Sequence, residues 1–448
     1  MLSPIVLVLY CIACTPDADD KHEQINVNAF KVGIVTEITQ DPTTAAGVGA
    51  MLARDEINAA GGINGHPIEL IARDGACDSD IGLEEARKLI ENFDIVALIG
   101  PSCSSIGFVW INELLPLHQI PAVATTTTSP DLTNLDIDDL YFRLQASDLI
   151  LIDSLALVVL NDDIRKLGII HRGGNDIFNT AIADGLAEKF EAEPGNEVVS
   201  MVSYPEIAEI EFSDYVTTLF NQVEQAGGMD GLAIIGFGID TANISVAISR
   251  EMQNRSISRD SLLGVYINNI EDSVLLSGSR ELFNGAEAVI TADISKETAP
   301  NLEEWRIDFN ELFNDNRDEN ALGYDAMYLI ALALQQGGMD ASSTTSEARL
   351  AIKDNLRSVS GTGTTLGAVE IKPGDFYLAI DTLRYSGQID YNGASGVIEF
   401  DDAGDINYGD FKSVVLKTTD RGLVVECLNK IRLFPSGTGT DNEITDCD

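Results

Sequence analysis

The sequence predicts an α/β protein of two lobes, each built on a doubly wound, mainly parallel sheet. From Phe30 onward, short apolar runs rich in β-branched residues alternate with longer stretches of helical period. The alternation restarts after Arg143 with a second set of units. Repeated strand–helix units build parallel sheets. A chain of 448 residues is long enough for two such lobes.

The first set of units predicts four strands and three helices. In the first helix, Ala50, Ala53 and Ile57 share one face, and Gly61-Gly62 follows as a stop signal. We expect strands over 31–36, 67–72, 95–99 and 121–125, and helices over 44–60, 83–92 and 104–115.

The second set has the same rhythm and is followed by a region of different texture. We expect strands over 167–171, 198–202, 232–235 and 262–266, and helices over 149–160, 177–191, 215–226 and 242–252. Helices over 302–313, 321–336 and 346–356 precede a strand-and-turn segment over 396–425. The chain therefore returns to an earlier lobe. We expect lobe 1 to comprise 30–145 with about 285–408, lobe 2 to comprise 146–284 with about 409–428, and 429–448 to form a C-terminal tail.

The charge of the chain argues against several classes of partner. It carries 28 Lys and Arg against 72 Asp and Glu, a formal net charge of −44. Nucleic acid and anionic membrane surfaces would be repelled, because their binding needs clustered basic residues. A content of 45% hydrophobic residues also disfavours disorder.

The N-terminus has the character of an export signal. Residues 5–14 form an apolar segment that is too short to span a bilayer but suits a signal-peptide core. The segment ends in Ile12-Ala13-Cys14, which resembles the end of a bacterial lipoprotein lipobox, although Cys11 stands where Leu is usual. We expect a signal peptide over 1–14, acylation of Cys14 and a tether over 15–29; an ordinary signal peptide or a buried strand are the alternatives. Export would make the four later cysteines candidates for disulfides.

Two stretches of polar residues follow predicted strands, where open α/β sheets bind ligands. Ser104 and Ser105 stand on the first turn of a predicted helix, whose free N–H groups favour an anion such as a carboxylate. The alternative is that Ser104 is an N-cap. Thr125 to Thr128 end the next strand; they either face a cleft or form local side-chain turns.

Signatures of catalysis and of metal binding are absent from the sequence. The four histidines form no HExxH pair, and there is neither a GxSxG elbow nor a phosphate-binding loop. The acidic runs 78–80 and 401–405 lack the later ligands of an EF-hand. We therefore expect no metal, no cofactor and no enzymatic activity.

Four motifs in order resemble the type 1 periplasmic solute-binding proteins, especially the leucine/isoleucine/valine-binding proteins of ABC importers. They are DEINAAGGING (55–65), DGACD (74–78), IGPSCSS (99–105) and TSPDLT (128–133). Weaker matches extend to GASGVIEFD (393–401). The resemblance implies two Rossmann-like lobes, joined by three crossovers, that close on a small ligand.

The resemblance also implies roles for particular residues. It implies a disulfide between Cys77 and Cys103, a carboxylate-binding role for Ser104, and ligand contacts from Thr126 and Thr128. With the resemblance, we favour the ligand-binding role of Ser104 over the N-cap. Separately, Cys427 and Cys447 enclose a Gly/Ser/Thr-rich loop, and we expect a second disulfide there.

The second lobe departs from the pattern of the family. Tyr266 stands where the amino-acid binders place a glutamate for the ligand ammonium, and Gly238 replaces an aromatic residue. Pro42 stands where an aromatic residue is common on the first lobe. Asp176 or Asp240 would supply the missing charge, unless they are solvated loop acids.

These observations favour an exported, monomeric, lipid-anchored receptor in the periplasm or cell envelope. It would pass a small carboxylate-bearing solute, an amino acid or a relative of one, to ABC permease subunits. The alternative is a sensing or partner-binding module of the same fold. An enzyme with Ser104 as nucleophile is disfavoured, because no base stands at a recognisable spacing.

Overall fold

The computed structural model describes most of the chain after residue 28. The described residues are 29–38, 45–174, 176–205, 211–268, 270, 272–291, 301–313, 315, 317, 319–360, 367–406, 409–420, 422–433 and 443–447. The predicted signal peptide, Cys14, Pro42 and the predicted tether up to residue 28 lie outside them. Among the described residues, no helix combines the length and apolar character needed to cross a membrane.

Strands and helices alternate through most of the described chain. The strands are β1 (Phe30–Thr36), β2 (Ile68–Asp74), β3 (Ala97–Ile99), β4 (Ala122–Ala124), β5 (Tyr141–Arg143), β6 (Lys166–Arg172), β7 (Glu197–Tyr204), β8 (Gly231–Ile235), β9 (Gly264–Ile267), β10 (Glu287–Thr291), β11 (Val369–Ile371), β12 (Ile389–Tyr391), β13 (Gly409–Thr419), β14 (Gly422–Leu433) and β15 (Glu443–Asp446). The helices are α1 (Ala45–Ala59), α2 (Ser79–Phe93), α3 (Ser104–Val109), α4 (Leu115–His118), α5 (Pro130–Thr133), α6 (Asp148–Asn161), α7 (Ile177–Glu191), α8 (Ser213–Gln225), α9 (Gly238–Asn254), α10 (Asp272–Ser277), α11 (Arg280–Phe283), α12 (Leu302–Phe313), α13 (Glu319–Gln336), α14 (Thr345–Val359) and α15 (Phe376–Arg384). A π-helical turn, Trp110–Leu114, joins α3 to α4.

Five parallel strands form the sheet of the first lobe, in the order β2-β1-β3-β4-β5. Because side chains alternate along a strand, β1 sends Val32 and Ile34 to one face and Val35 to the other. The face of Val32 and Ile34 packs against α13, whose residues 320–335 are all buried. The sheet is thus covered on both faces, as parallel sheets require.

Eight strands form the sheet of the second lobe, in the order β15-β14-β13-β10-β9-β8-β6-β7. The strands from β7 to β10 are parallel neighbours, and β13, β14 and β15 extend the sheet as antiparallel strands. Separate apolar clusters cover its two faces. The prediction of an α/β fold with two lobes and parallel sheets is confirmed.

The structure corrects two of the expected boundaries. We expected lobe 1 to resume near residue 285, but β10 pairs with β9 and β13 in the second sheet. We expected a tail over 429–448, but β14 continues to Leu433 and β15 pairs with it. The segments of 302–391 described above pack into the core of the first lobe.

The described elements alternate between the lobes at three points along the chain. The first passage joins β5 to α6, the second lies between β10 in the second sheet and α12 in the first-lobe core, and the third enters β13. The Arg143 N–H donates to the Gly404 carbonyl oxygen at 2.8 Å, so the first and third passages run side by side.

Candidate ligand-binding site

Helices that follow the carboxyl ends of strands in the two lobes contact each other. Helix α3 begins directly after the carboxyl end of β3, and α7 begins after the carboxyl end of β6. Both α3 and α5, from the first lobe, pack against α7, from the second. Ligands of open α/β sheets bind at the carboxyl edges of the strands, so the candidate site lies between these helices.

Ser104 is the first residue of α3, and its hydroxyl is bonded to another segment. Its Oγ accepts from the Thr128 N–H at 3.3 Å and from the Ser129 N–H at 3.2 Å. The residue that caps α3 is Cys103, which makes no side-chain cap. The N-cap alternative for Ser104 is therefore wrong. Because both lone pairs of Ser104 Oγ accept N–H groups, the hydroxyl proton is available to donate to a further acceptor.

Thr126 presents a hydroxyl whose proton is already used, and Thr128 lies close to Asp148. Thr126 Oγ1 donates to the Ser102 carbonyl oxygen at 3.0 Å, and the Thr128 side chain lowers the pKa of the Asp148 carboxyl. The lone pairs of Thr126 Oγ1 can accept a hydrogen bond from another group. The residues of each pair are 20 or more positions apart, so neither is a local turn. The intervening Thr127 instead pairs with the Tyr141 hydroxyl at 2.9 Å in the core.

The described residues therefore place three hydroxyl groups at a single edge of the first lobe. The Ser104 hydroxyl is placed to donate, whereas the Thr126 hydroxyl is placed to accept. Ser105 lies half-buried on the same turn as Ser104. The structure thus brings together the four first-lobe residues that the sequence predicted.

Asp148 begins α6 directly after the first passage between the lobes. Its backbone N–H donates to the Thr128 carbonyl oxygen at 2.8 Å. Burial raises the pKa of the Asp148 carboxyl to about 7, against the lowering effects of the Thr128 side chain and of Arg143. Its Oδ2 has no hydrogen-bond partner among the described residues. Asp148 therefore holds Thr128 from a position in the hinge.

Arg172 ends β6, at the carboxyl edge of the second-lobe sheet. Its guanidinium lies 3.2 Å from the Asp176 carboxylate and 3.5 Å from that of Asp240. It also stacks 5.0 Å from the centroid of the Phe237 ring, which itself stacks on Phe178 at 5.7 Å. Asp176 and Asp240 are thus not solvated loop acids, because both pair with an arginine.

The structure does not bring Tyr266 to this site. The side chain is fully buried in the core of the second lobe, and its hydroxyl donates to Asp162 Oδ2 at 2.5 Å. Asp162 precedes β6, at the opposite edge of the sheet from the site. The residue that emerges beyond the carboxyl end of β9 is Asn268, which bonds to the Gly236 N–H and to Asn179.

Gly238 lies at the edge of the second lobe but offers no side chain. It is the first residue of α9, and the residue before it, Phe237, carries a ring that is 37% exposed. The aromatic group that we considered replaced therefore lies one residue earlier. Sequence reasoning also missed Arg172. Its position at the end of β6 is the one signal that could have identified it.

The structure pairs the four later cysteines that it describes. The sulfur atoms of Cys77 and Cys103 lie at bonding distance, as do those of Cys427 and Cys447. The first pair ties the loop after β2 to the residue before Ser104. Among the described residues, no group of three His, Cys, Asp or Glu side chains is arranged to hold a metal ion.

Comparison with known proteins identifies the family of this fold. Residues 31–375 match the family described as periplasmic binding protein. An amino acid binding protein from Pseudomonas aeruginosa is 31% identical over 142 residues, which are 30% of this chain and 36% of that protein. A Leu/Ile/Val-binding protein homolog from Brucella melitensis is 28% identical over 195 residues, which are 42% of this chain and 50% of that protein. The chain thus spans only about a third to a half of the length of these relatives.

Solved structures share the fold at low sequence identity. A leucine-binding protein from Thermotoga maritima aligns with a TM-score of 0.63 and 16% identity, over 91% of this chain and 99% of that one. A branched-chain amino acid transporter substrate-binding protein from Streptococcus pneumoniae, solved with isoleucine, aligns with a TM-score of 0.58 and 17% identity, over 89% of this chain and 99% of that one. The family match covers most of the chain, and the two-lobed fold agrees with it. The chain belongs to the periplasmic binding protein family, and its fold is of type 1.

Proposed function

We propose that the protein is the solute receptor of an ABC importer and that it binds one α-amino acid between its two lobes. The family and the names of the relatives support a receptor of this kind. A site for a carboxylate alone would suit many organic acids. The first lobe offers a hydroxyl acceptor as well as a hydroxyl donor, and this favours an amino acid.

The observation that carries the proposal is the direction of three hydrogen bonds. The Ser104 hydroxyl accepts two N–H groups, so its proton is available for a ligand carboxylate. Thr126 gives its proton to the Ser102 carbonyl oxygen, so its hydroxyl oxygen can accept from an ammonium group. An α-amino acid carries both of these groups on one carbon atom, and a simple carboxylic acid carries only the first.

Because the chain carries a net charge of −44, a carboxylate ligand must be attracted by hydrogen-bond donors at short range. A carboxylate ligand approaches against the field of the whole protein, which is screened over about 8 Å at physiological ionic strength. Hydrogen bonds from hydroxyl and backbone donors then supply the attraction at short range. The net charge of the whole chain therefore does not identify the ligand.

The surroundings of the receptor form part of the proposal and rest on the sequence. An apolar segment ending in Cys14 supports export and a lipid anchor. The protein would then act as a monomer in the periplasm or cell envelope and deliver its ligand to ABC permease subunits. It needs no cofactor and performs no catalysis for that role.

Titration calorimetry with matched ligands tests the proposal. An amino acid is compared with its deaminated acid, which lacks the ammonium, and with its amide, which lacks the carboxylate. We expect the intact amino acid to bind at least tenfold more tightly than either analogue. Ser104→Ala should weaken the amino acid about tenfold or more, since a hydrogen bond to a charged group contributes roughly 1.5–3 kcal/mol.

A serine far from the site provides the control. Ser261 is exposed and precedes β9, at the opposite edge of the second sheet, so Ser261→Ala should leave affinity unchanged. Equal binding of the amino acid and its deaminated acid would contradict the proposal, as would an unchanged affinity in Ser104→Ala.

A further inference from the structure

Glu37 lies next to the candidate site without belonging to the group that holds an α-amino acid. It directly follows β1, which is the sheet neighbour of β3. The Thr36 hydroxyl donates to Glu37 Oε2 at 3.4 Å and lies 3.5 Å from Ser102 Oγ. Since the Ser102 carbonyl oxygen accepts from Thr126, hydrogen bonds connect Glu37 to the acceptor side of the site.

Among the described residues, no cation compensates the charge of Glu37. Burial raises the pKa of the Glu37 carboxyl, and Asp74 adds to that effect, while hydrogen bonds from Ser102 and Thr36 oppose it. No described Lys, Arg or His side chain forms an ion pair with Glu37, whereas Asp176 and Asp405 each pair with an arginine. A largely desolvated carboxylate without a cation is costly, so it marks a place where a ligand cation would stabilise the complex.

The spacing of the strands indicates which part of the ligand reaches Glu37. Neighbouring strands lie roughly 4.8 Å apart, so two steps, from β4 to β3 and from β3 to β1, give about 10 Å. The backbone at the end of β4, where the α-ammonium would be held, is thus about 10 Å from the backbone of Glu37. A lysine side chain extends about 6 Å from its α-carbon. Together with a hydrogen bond of about 3 Å, it spans most of the separation of about 10 Å between the ends of β4 and β1.

We propose that Glu37 pairs with a cationic group at the end of the ligand's side chain, so that the receptor selects basic amino acids. This inference rests on the proposed function, because Ser104, Thr126 and Thr128 must first fix the α-carbon. A branched aliphatic side chain would leave the carboxylate desolvated and unpaired, and would lose affinity for that reason.

Lysine and norleucine provide the test, because they differ in the terminal ammonium group. Calorimetry on the full mature protein should find lysine bound at least 30-fold more tightly than norleucine. In Glu37→Gln, lysine should weaken to within about threefold of norleucine, while norleucine itself binds no worse than before. Glu91→Gln, on the exposed face of α2, removes the same charge from the same lobe and should preserve the preference.

Each result supports or overturns the inference. If wild type binds norleucine or leucine as tightly as lysine, the inference is wrong, even where Glu37→Gln does not fold. If Glu37→Gln weakens lysine and norleucine equally, Glu37 acts through structure, and the inference is again wrong. In both cases, loss of leucine affinity in Ser104→Ala would leave the proposed function standing. If no amino acid binds to wild type, the proposed function and the inference fail together.

Discussion

Arg143 and Asp405 form a buried ion pair that joins the first and third passages between the lobes. Arg143 Nε donates to Asp405 Oδ1 at 2.5 Å, and the two side chains are 1% and 4% exposed. Arg143 Nη1 also donates to the Ser129 carbonyl oxygen at 2.9 Å. Because the Ser129 N–H donates to Ser104, the pair connects the hinge to the candidate site.

Breaking this pair should destabilise the protein strongly. Asp405→Asn leaves the Arg143 charge buried without its carboxylate, which costs about 3–5 kcal/mol in such pairs. The free energy of unfolding, measured by urea titration, should fall by that amount. Glu426→Gln removes an exposed partner of Lys417 and should cost less than about 1 kcal/mol. Equal losses in the two variants would refute the role of the buried pair.

Thr126 should discriminate ligands by their ammonium group. Thr126→Val keeps the shape of the side chain but removes its acceptor oxygen, so an amino acid should bind about tenfold more weakly. The corresponding deaminated acid should lose less than about threefold, because it has no ammonium to donate. Thr126→Ser retains the hydroxyl and should behave like wild type. A uniform loss for both ligands in Thr126→Val would mean that Thr126 acts only through packing.

Asp148 should make stability depend on pH. Its pKa is about 7 in the folded protein and near 3.8 when unfolded, so the folded state binds more protons between these values. The contribution of Asp148 to the free energy of unfolding is therefore fully present below pH 3.8, falls as pH rises, and is lost above about pH 7. The total loss across this range is ~4 kcal/mol.

The variant Asp148→Asn isolates that dependence. Its free energy of unfolding relative to wild type should rise as pH increases from 4 to 7 and level off above 7. Urea titrations at several pH values measure the difference. A difference that stays constant across this range would show that Asp148 does not titrate there.

The four cysteines paired in the structure should resist labelling in the exported protein. Mass spectrometry after alkylation without reductant should find Cys77, Cys103, Cys427 and Cys447 unmodified. The pair Cys77–Cys103 closes a separation of 26 residues, and the double variant Cys77→Ser, Cys103→Ser should lose roughly 3–4 kcal/mol. Labelling of both Cys427 and Cys447 would refute the second pair.

The sequence was sufficient to predict the α/β lobes, and it placed the first-lobe residues of the candidate site at one edge of a sheet. Apolar runs predicted the parallel strands. Because the carboxyl ends of parallel strands share one edge of a sheet, the polar residues just past β3 and β4 were expected to lie at that edge. Ser104 and Thr128 therefore followed from spacing as well as from the resemblance.

The second lobe was less predictable because its chemistry depends on strand phase and distant pairs. A shift of one or two residues decides whether Tyr266 or Asn268 emerges beyond β9, and the shared motifs do not cover that region. Asp405 lies 262 residues after its partner Arg143. The Gly/Ser/Thr-rich run after β14 resembled a tail, but β15 follows it and pairs with β14.

A crystal structure of the protein with its bound amino acid tests the central claim most directly. The account predicts a ligand carboxylate oxygen within hydrogen-bond distance of Ser104 Oγ, and the ligand ammonium within that distance of Thr126 Oγ1. A ligand bound elsewhere, or one whose ammonium faces Ser104, would contradict it.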